Sequence, residues 1–186
     1  RPLDVIFTIQ EEQGVRGAGH LDARRIRARE GFNLDGDTPV ADAIHRAPYK
    51  ARFTIAVTGR GAHAAVNPKD GINAIKAIGA IAAALPTGQV NATSTANLGY
   101  IEGGGVINVV PAHARLIGEA RSLDAGDLAA LRAEIERLAV ERGSAWGAQV
   151  ATEWVVQYPG YHVPTDAPIA QLFRWACAQA GRDAVF

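Results

Sequence analysis

The chain has 186 residues, 48% of them hydrophobic, which is enough apolar material for a packed core and excludes a disordered chain. Nineteen basic and nineteen acidic residues cancel, and no long run of one sign occurs, so neither a nucleic-acid surface nor a membrane surface is favoured. A single cysteine, Cys177, excludes an internal disulfide framework and fits a reducing, cytoplasmic setting.

In chain order, Asp4-Val5-Ile6-Phe7-Thr8-Ile9 is a continuous β-rich apolar run, predicted to be a buried central strand. A strand of that kind at the very start, and another suggested by Ala184-Val185-Phe186 at the very end, are expected of an internal piece of a longer protein. The first run leads into Glu11-Glu12 and a glycine-rich turn, at the strand edge where open α/β sheets place their ligands. Gly31 to Asp37 reads as a second short strand ending on an acidic turn.

From Lys50 to Gln157 the pattern becomes strand, helix, strand, strand, helix, strand. Phe53, Ile55 and Val57 alternate inward. A helix after Pro68 is expected to place Ile72, Ile75, Ile78, Ile81 and Leu85 on one side, and Pro86 to Gly88 ends it. Thr93–Ile101 and Val106–Arg121 are the next strands, joined through Gly103-Gly104-Gly105. Asp124 caps a second helix with Leu128, Leu131, Ile135 and Leu138 at helical spacing, closing at Gly143. Val150, Thr152, Trp154 and Val156 mark the last strand. Two βαβ units back to back predict a ferredoxin-like α+β domain, a four-stranded antiparallel sheet with both helices on one face. The expected domains are 1–47, part of an α/β catalytic domain; 48–160, an inserted lid; and 161–186, the return segment with an amphipathic helix from near Thr165.

The chemistry concentrates at three places. Adjacent carboxylates at a strand end point in different directions, so one of Glu11 and Glu12 could bind a metal while the other faces a metal-bound water that it can deprotonate; the same pair also reads as an exposed acidic turn. Asp35, at the end of the apolar Phe32-Leu34 run, could bring a further oxygen ligand to the same cation, with Asp37 its competitor. His63, between the glycines of Thr58-Gly59-Arg60-Gly61-Ala62-His63 and Asn67-Pro68, sits on an exposed loop, where a lone histidine is otherwise an ordinary surface residue.

Taken together, Ile6-Phe7-Thr8-Ile9-Gln10-Glu11-Glu12-Gln13-Gly14-Val15-Arg16-Gly17-Ala18, Asn33-Leu34-Asp35-Gly36, Gly59-Arg60-Gly61-Ala62-His63-Ala64 with Asn67-Pro68-Lys69-Asp70-Gly71-Ile72-Asn73-Ala74, Gly105-Val106-Ile107-Asn108-Val109-Val110-Pro111 and Glu119-Ala120-Arg121-Ser122 resemble the dinuclear zinc metallopeptidases related to peptidase T, carboxypeptidase G and aminoacylase. The resemblance implies hydrolysis of peptide or amide bonds in small peptides, two zinc ions (or cobalt or manganese in their place), and a homodimer formed through the lid. By the same resemblance, Glu11 matches the general base, Glu12 and Asp35 match carboxylate ligands of the two zinc ions, and His63 matches a lid histidine that steadies the oxyanion. Asn108 and Arg121 match lid residues that hold the substrate's carbonyl and carboxylate. The family's His-x-Asp motif, bridging aspartate and late histidine ligand have no match here, so the piece by itself is expected to be inactive. The competing reading is a non-catalytic dimerisation or interaction module.

Overall fold

The computed structural model describes residues 3–12, 16–34 and 38–186. The chain divides into two compact units, Ile44–Val163 and the pair of segments Arg1–Ala43 and Pro164–Phe186.

In the first segment of the smaller unit, the stretch predicted as a buried strand forms none. Residues 3–10 belong to no strand, and Val5, Phe7 and Ile9 are exposed, Phe7 at 92%. A central strand is buried by ladders on both sides and layers on both faces, and no described residue of this unit pairs with the segment in a ladder. The chain instead turns at Gln10, which has a left-handed φ of 58°. The amides of Arg16 and Gly17 then return to the carbonyls of Gln10 and Ile9 at 3.2 and 3.0 Å, opening the short helix α1 (Arg16–Gly19). The second predicted strand is likewise absent over its described part: Leu34 is 95% exposed, while the Phe32 ring lies 6.1 Å from that of Phe173.

The larger unit opens with β1 (Arg46–Ala47) and the ten-residue β2 (Tyr49–Thr58). Ala51, Phe53, Ile55 and Val57 of β2 are all buried, as their alternation predicts. Helix α2 (Ala74–Ala84) begins at Asn73, whose side chain accepts from the Lys76 amide. Its buried face is Ala74, Ala77, Ile78 and Ile81; Ile75, expected inside, is 45% exposed. The two alanines take the inner positions, where a small side chain lets the helix lie close to the sheet.

A two-residue strand, β3 (Gly88–Gln89), precedes β4 (Ser94–Gly103) and β5 (His113–Ser122). Helix α3 (Ala125–Ser144) is capped by Asp124, which accepts from the Asp127 amide at 2.9 Å. β6 (Gln149–Tyr158) completes the sheet, β7 (Tyr161–His162) pairs with β1, and α4 (Pro168–Gln179) follows in the smaller unit. There Val185 forms a parallel bridge with Asp42, and Phe186 packs its ring 5.7 Å from Phe173.

The sheet is antiparallel, in the order β3-β4-β5-β2-β6. Its four long strands are those expected, and β3 adds a fifth at the edge. Helices α2 and α3 share one face, where Phe53, Ile55, Leu116, Ile78, Ile81 and Ile135 form the centre of the core. The opposite face alternates outward as Lys50, Arg52 and Thr54 on β2 against Arg121, Glu119 and Ile117 on β5. At Gly118 a side chain would collide with the Phe53 ring and the Asn97 carbonyl, at 2.3 and 2.6 Å, so glycine is what allows the ring to lie flat across β5. Two serines directly opposite in register, Ser94 and Ser122, are fully buried and satisfy each other at 2.9 Å.

The third long strand starts at His113 rather than Val106. Residues 106–112 form a loop because their polar backbone groups are taken by another loop: Ala64 donates to Asn108, and Val110 donates to Ala62.

Candidate functional site

Within the larger unit, the candidate residues fall at the two ends of the sheet. At one end, β2 stops at Thr58 opposite His113, and the chain continues as two loops zipped together. Gly59 donates to Ala112 at 2.8 Å, Val110 to Ala62 at 2.8 Å, and Ala64 to Asn108 at 2.9 Å, with a further antiparallel bridge between His63 and Val109. Arg60 and Ile72 exchange both backbone bonds, at 3.0 and 2.8 Å, closing the first loop on itself. Gly59 is required here: a Cβ on it would lie 2.1 Å from the Ile72 carbonyl oxygen. An open cavity of about 230 Å³, lined by Gly61, Gly104–Val106 and Val109–His113, lies beside the zipped loops.

His63 is held by its own turn. Its amide donates to Asn67 Oδ1 at 3.0 Å, and its ring Nδ1 accepts from the amides of Ala65 and Val66, both at 3.2 Å. A nitrogen receiving two N–H donors keeps its lone pair, so in the neutral ring the hydrogen is on Nε2. The structure therefore brings His63 and Asn108 together, with His63 presenting a donor.

Arg121 lies elsewhere. It is the next-to-last residue of β5, eight residues beyond His113, and at about 3.3 Å per residue that is roughly 26 Å along the strand. It sits on the sheet face opposite the helices, directly across from Lys50 of β2 and Thr95 of β4. Its Nε donates to Glu119 Oε1 at 2.8 Å, and Lys50 Nζ reaches the other carboxylate oxygen at 3.1 Å. Partial burial pushes the Glu119 carboxyl up, but hydrogen bonds from Arg121 and Lys50, with the attraction of both cations, outweigh it and leave it below its ordinary value. The Glu119 bond raises Arg121 further above its already high value. Neither Lys50 nor Glu119, the latter a motif residue, has a role expected from the sequence. The period of two that predicted β2 and β5 was the available signal, since it puts all three charges on one face once the register is known.

In the smaller unit, Glu11 and Glu12 are both exposed on the turn after Gln10, and among the described residues no ion pair or hydrogen bond engages either side chain. Asp35 and its competitor Asp37 lie outside the described residues. Carboxylates suit a divalent cation, but no group of three His, Cys, Asp or Glu able to hold a metal comes together among the described residues. These residues do not by themselves compose a metal centre. No helix among the described residues is long and apolar enough to cross a membrane.

Residues 49–146 match the M20_dimer family, the peptidase dimerisation domain. The chain belongs to this family. Outside the matched domain the likeness extends over nearly the whole sequence: the uncharacterised protein YqjE of Bacillus subtilis is 33% identical over 180 residues, covering 97% of this chain and 48% of YqjE. Among solved structures, aminopeptidase PepT from Bacillus cereus is 32% identical with a TM-score of 0.85, covering 95% of this chain and 48% of that one. A tripeptidase from Staphylococcus aureus is 26% identical with a TM-score of 0.88, covering 96% and 48%. The M20 chain described here thus spans about half the length of the relatives it matches, and its five-stranded α+β unit is the peptidase dimerisation domain.

Proposed function

We propose that this M20 chain serves in a homodimeric zinc-dependent hydrolase that cleaves peptide or amide bonds of small peptides, each active site drawing on the dimerisation domains of both subunits. One observation carries this reading. His63 and Asn108 stand at one end of the sheet and Arg121 near the other, roughly 26 Å away along β5, so one domain cannot bring all three to one small peptide. Two copies can, if each gives one end to each site.

In this reading Glu12 and Asp35 would give carboxylate oxygens to the metal, and the full-length protein would supply the remaining ligands. Zinc, or cobalt or manganese in its place, supplies acidification of water when bound. Glu11 takes a proton from the attacking water and returns it to the leaving amine. His63 donates from Nε2 to the oxygen on which negative charge develops, and the tautomer set by Ala65 and Val66 prepares that donor in advance. Asn108 holds a substrate carbonyl. Arg121, whose Nε is occupied by Glu119, offers its outer guanidinium nitrogens to a substrate carboxylate. With two candidate metal ligands, the 186 residues alone are read as inactive.

Replacing Glu11 by Ala in the full-length protein tests the chemistry. Loss of hydrolysis with metal content unchanged supports the reading; retained turnover removes Glu11 from it.

A further inference from the structure

The loop that carries His63 is closed by Asn67, a residue of the Asn67-Pro68-Lys69-Asp70-Gly71 motif. Asn67 grips His63 from both sides: its Oδ1 accepts the His63 amide at 3.0 Å, and its own amide donates to the His63 carbonyl at 3.2 Å. Its Nδ2 donates to Asp70 Oδ2 at 3.0 Å. Asp70 is in turn tied to the end of β2, because Arg60 Nε donates to the Asp70 carbonyl and Arg60 pairs with Ile72 on both backbone groups. The amides of Ala65 and Val66, which lie inside the turn that Asn67 closes, are the two donors on His63 Nδ1.

We propose that Asn67 is the positioning residue of His63, closing the turn that points two amides at Nδ1 and thereby locking the ring as the Nε2–H tautomer. The residue type follows from the chemistry. The side chain accepts at one atom and donates at the other, which an amide does and a carboxylate does not. An aspartate there would keep the acceptor for His63 but set a second carboxylate against Asp70. All these groups are exposed, so each bond adds little to stability, and the effect of the clamp is to fix ring orientation and tautomer before substrate arrives. Its consequence for catalysis rests on the reading of His63 as an oxyanion donor; the tautomer lock does not.

Long-range 1H–15N spectra of the imidazoles in the 186-residue chain, taken at a pH where the ring is neutral, test the proposal. His63 is expected as a single Nε2–H tautomer, and Asn67→Ala should give averaged ring nitrogens characteristic of a free histidine. Asp70→Ala breaks the same clamp from its outer side and serves if Asn67→Ala does not fold. An Nδ1–H tautomer in the unsubstituted chain, or an unchanged Nε2–H signal in the variants, overturns the proposal. In the full-length enzyme, Asn67→Ala is expected to lower kcat by about 10-fold to 100-fold with a smaller change in KM, as for a misplaced catalytic group. If the variant changes the tautomer while Asn67→Ala and His63→Ala both leave kcat intact, the oxyanion reading fails and the positioning role stands.

Discussion

Ala64 donates its backbone hydrogen to the carbonyl of Asn108 at 2.9 Å, which makes the His63 loop and the Asn108 loop one hydrogen-bonded body although the two partners stand 44 positions apart in the sequence. A displacement of either loop therefore moves both candidate groups.

Gly59→Ala tests that coupling. The added Cβ would sit 2.1 Å from the Ile72 carbonyl, and backbone does not yield as a side-chain tip does. The expected result is a loss of stability of about 1–3 kcal/mol by thermal unfolding, with a fall in kcat larger than the stability change explains.

His63→Ala in the full-length protein is expected to lower kcat by about 10²–10³-fold, the effect of removing one oxyanion donor, with KM changed much less. Steady-state kinetics on a small peptide substrate read both quantities.

Glu119 provides a pH signature. Its folded-state carboxyl lies below the ordinary value of 4.5, so its contribution to stability is fully present above that pH and is lost as pH falls through the lower folded value. Glu119→Gln should melt earlier than the unsubstituted chain near neutral pH, by an amount equivalent to about 1 kcal/mol or less for a partly exposed pair. The gap should close as the solution is acidified. A gap that widens in acid would contradict the assignment.

Gly118→Ala and Ile55→Ala probe the core from opposite directions. The first forces the Phe53 ring off β5, and the second empties a fully buried site. Overpacking is expected to cost about 1–3 kcal/mol and the cavity about 2–5 kcal/mol, both read by denaturant unfolding.

The dimerisation domain was largely legible in the sequence because its signals are local. Phe53, Ile55 and Val57 alternate, Asp124 caps the helix it was expected to cap, and Leu131 and Ile135 are buried at helical spacing. What was misread depends on partners distant in sequence. The apolar run of residues 4–9 has the composition of a central strand, but a strand exists only where another backbone pairs with it. Residues 106–112 have strand-like composition too, yet their hydrogen bonds go to Ala62 and Ala64, and the segment becomes the loop that carries Asn108. The same limit applies to the site. His63, Asn108 and Arg121 could each be picked out as single residues, whereas their division between two ends of a sheet appears only once Thr58 is set opposite His113 and Lys50 opposite Arg121.

Mixed dimers of the full-length protein test the central claim most directly. One subunit carries His63→Ala and the other Arg121→Ala, each variant being nearly inactive as a homodimer. If each site takes His63 from one subunit and Arg121 from the other, the hybrid holds one intact site and one doubly altered site, and it should recover about half the activity of the unsubstituted dimer. If both residues serve a site within one subunit, every site in the hybrid carries a lesion. A hybrid no more active than its parents would contradict the account.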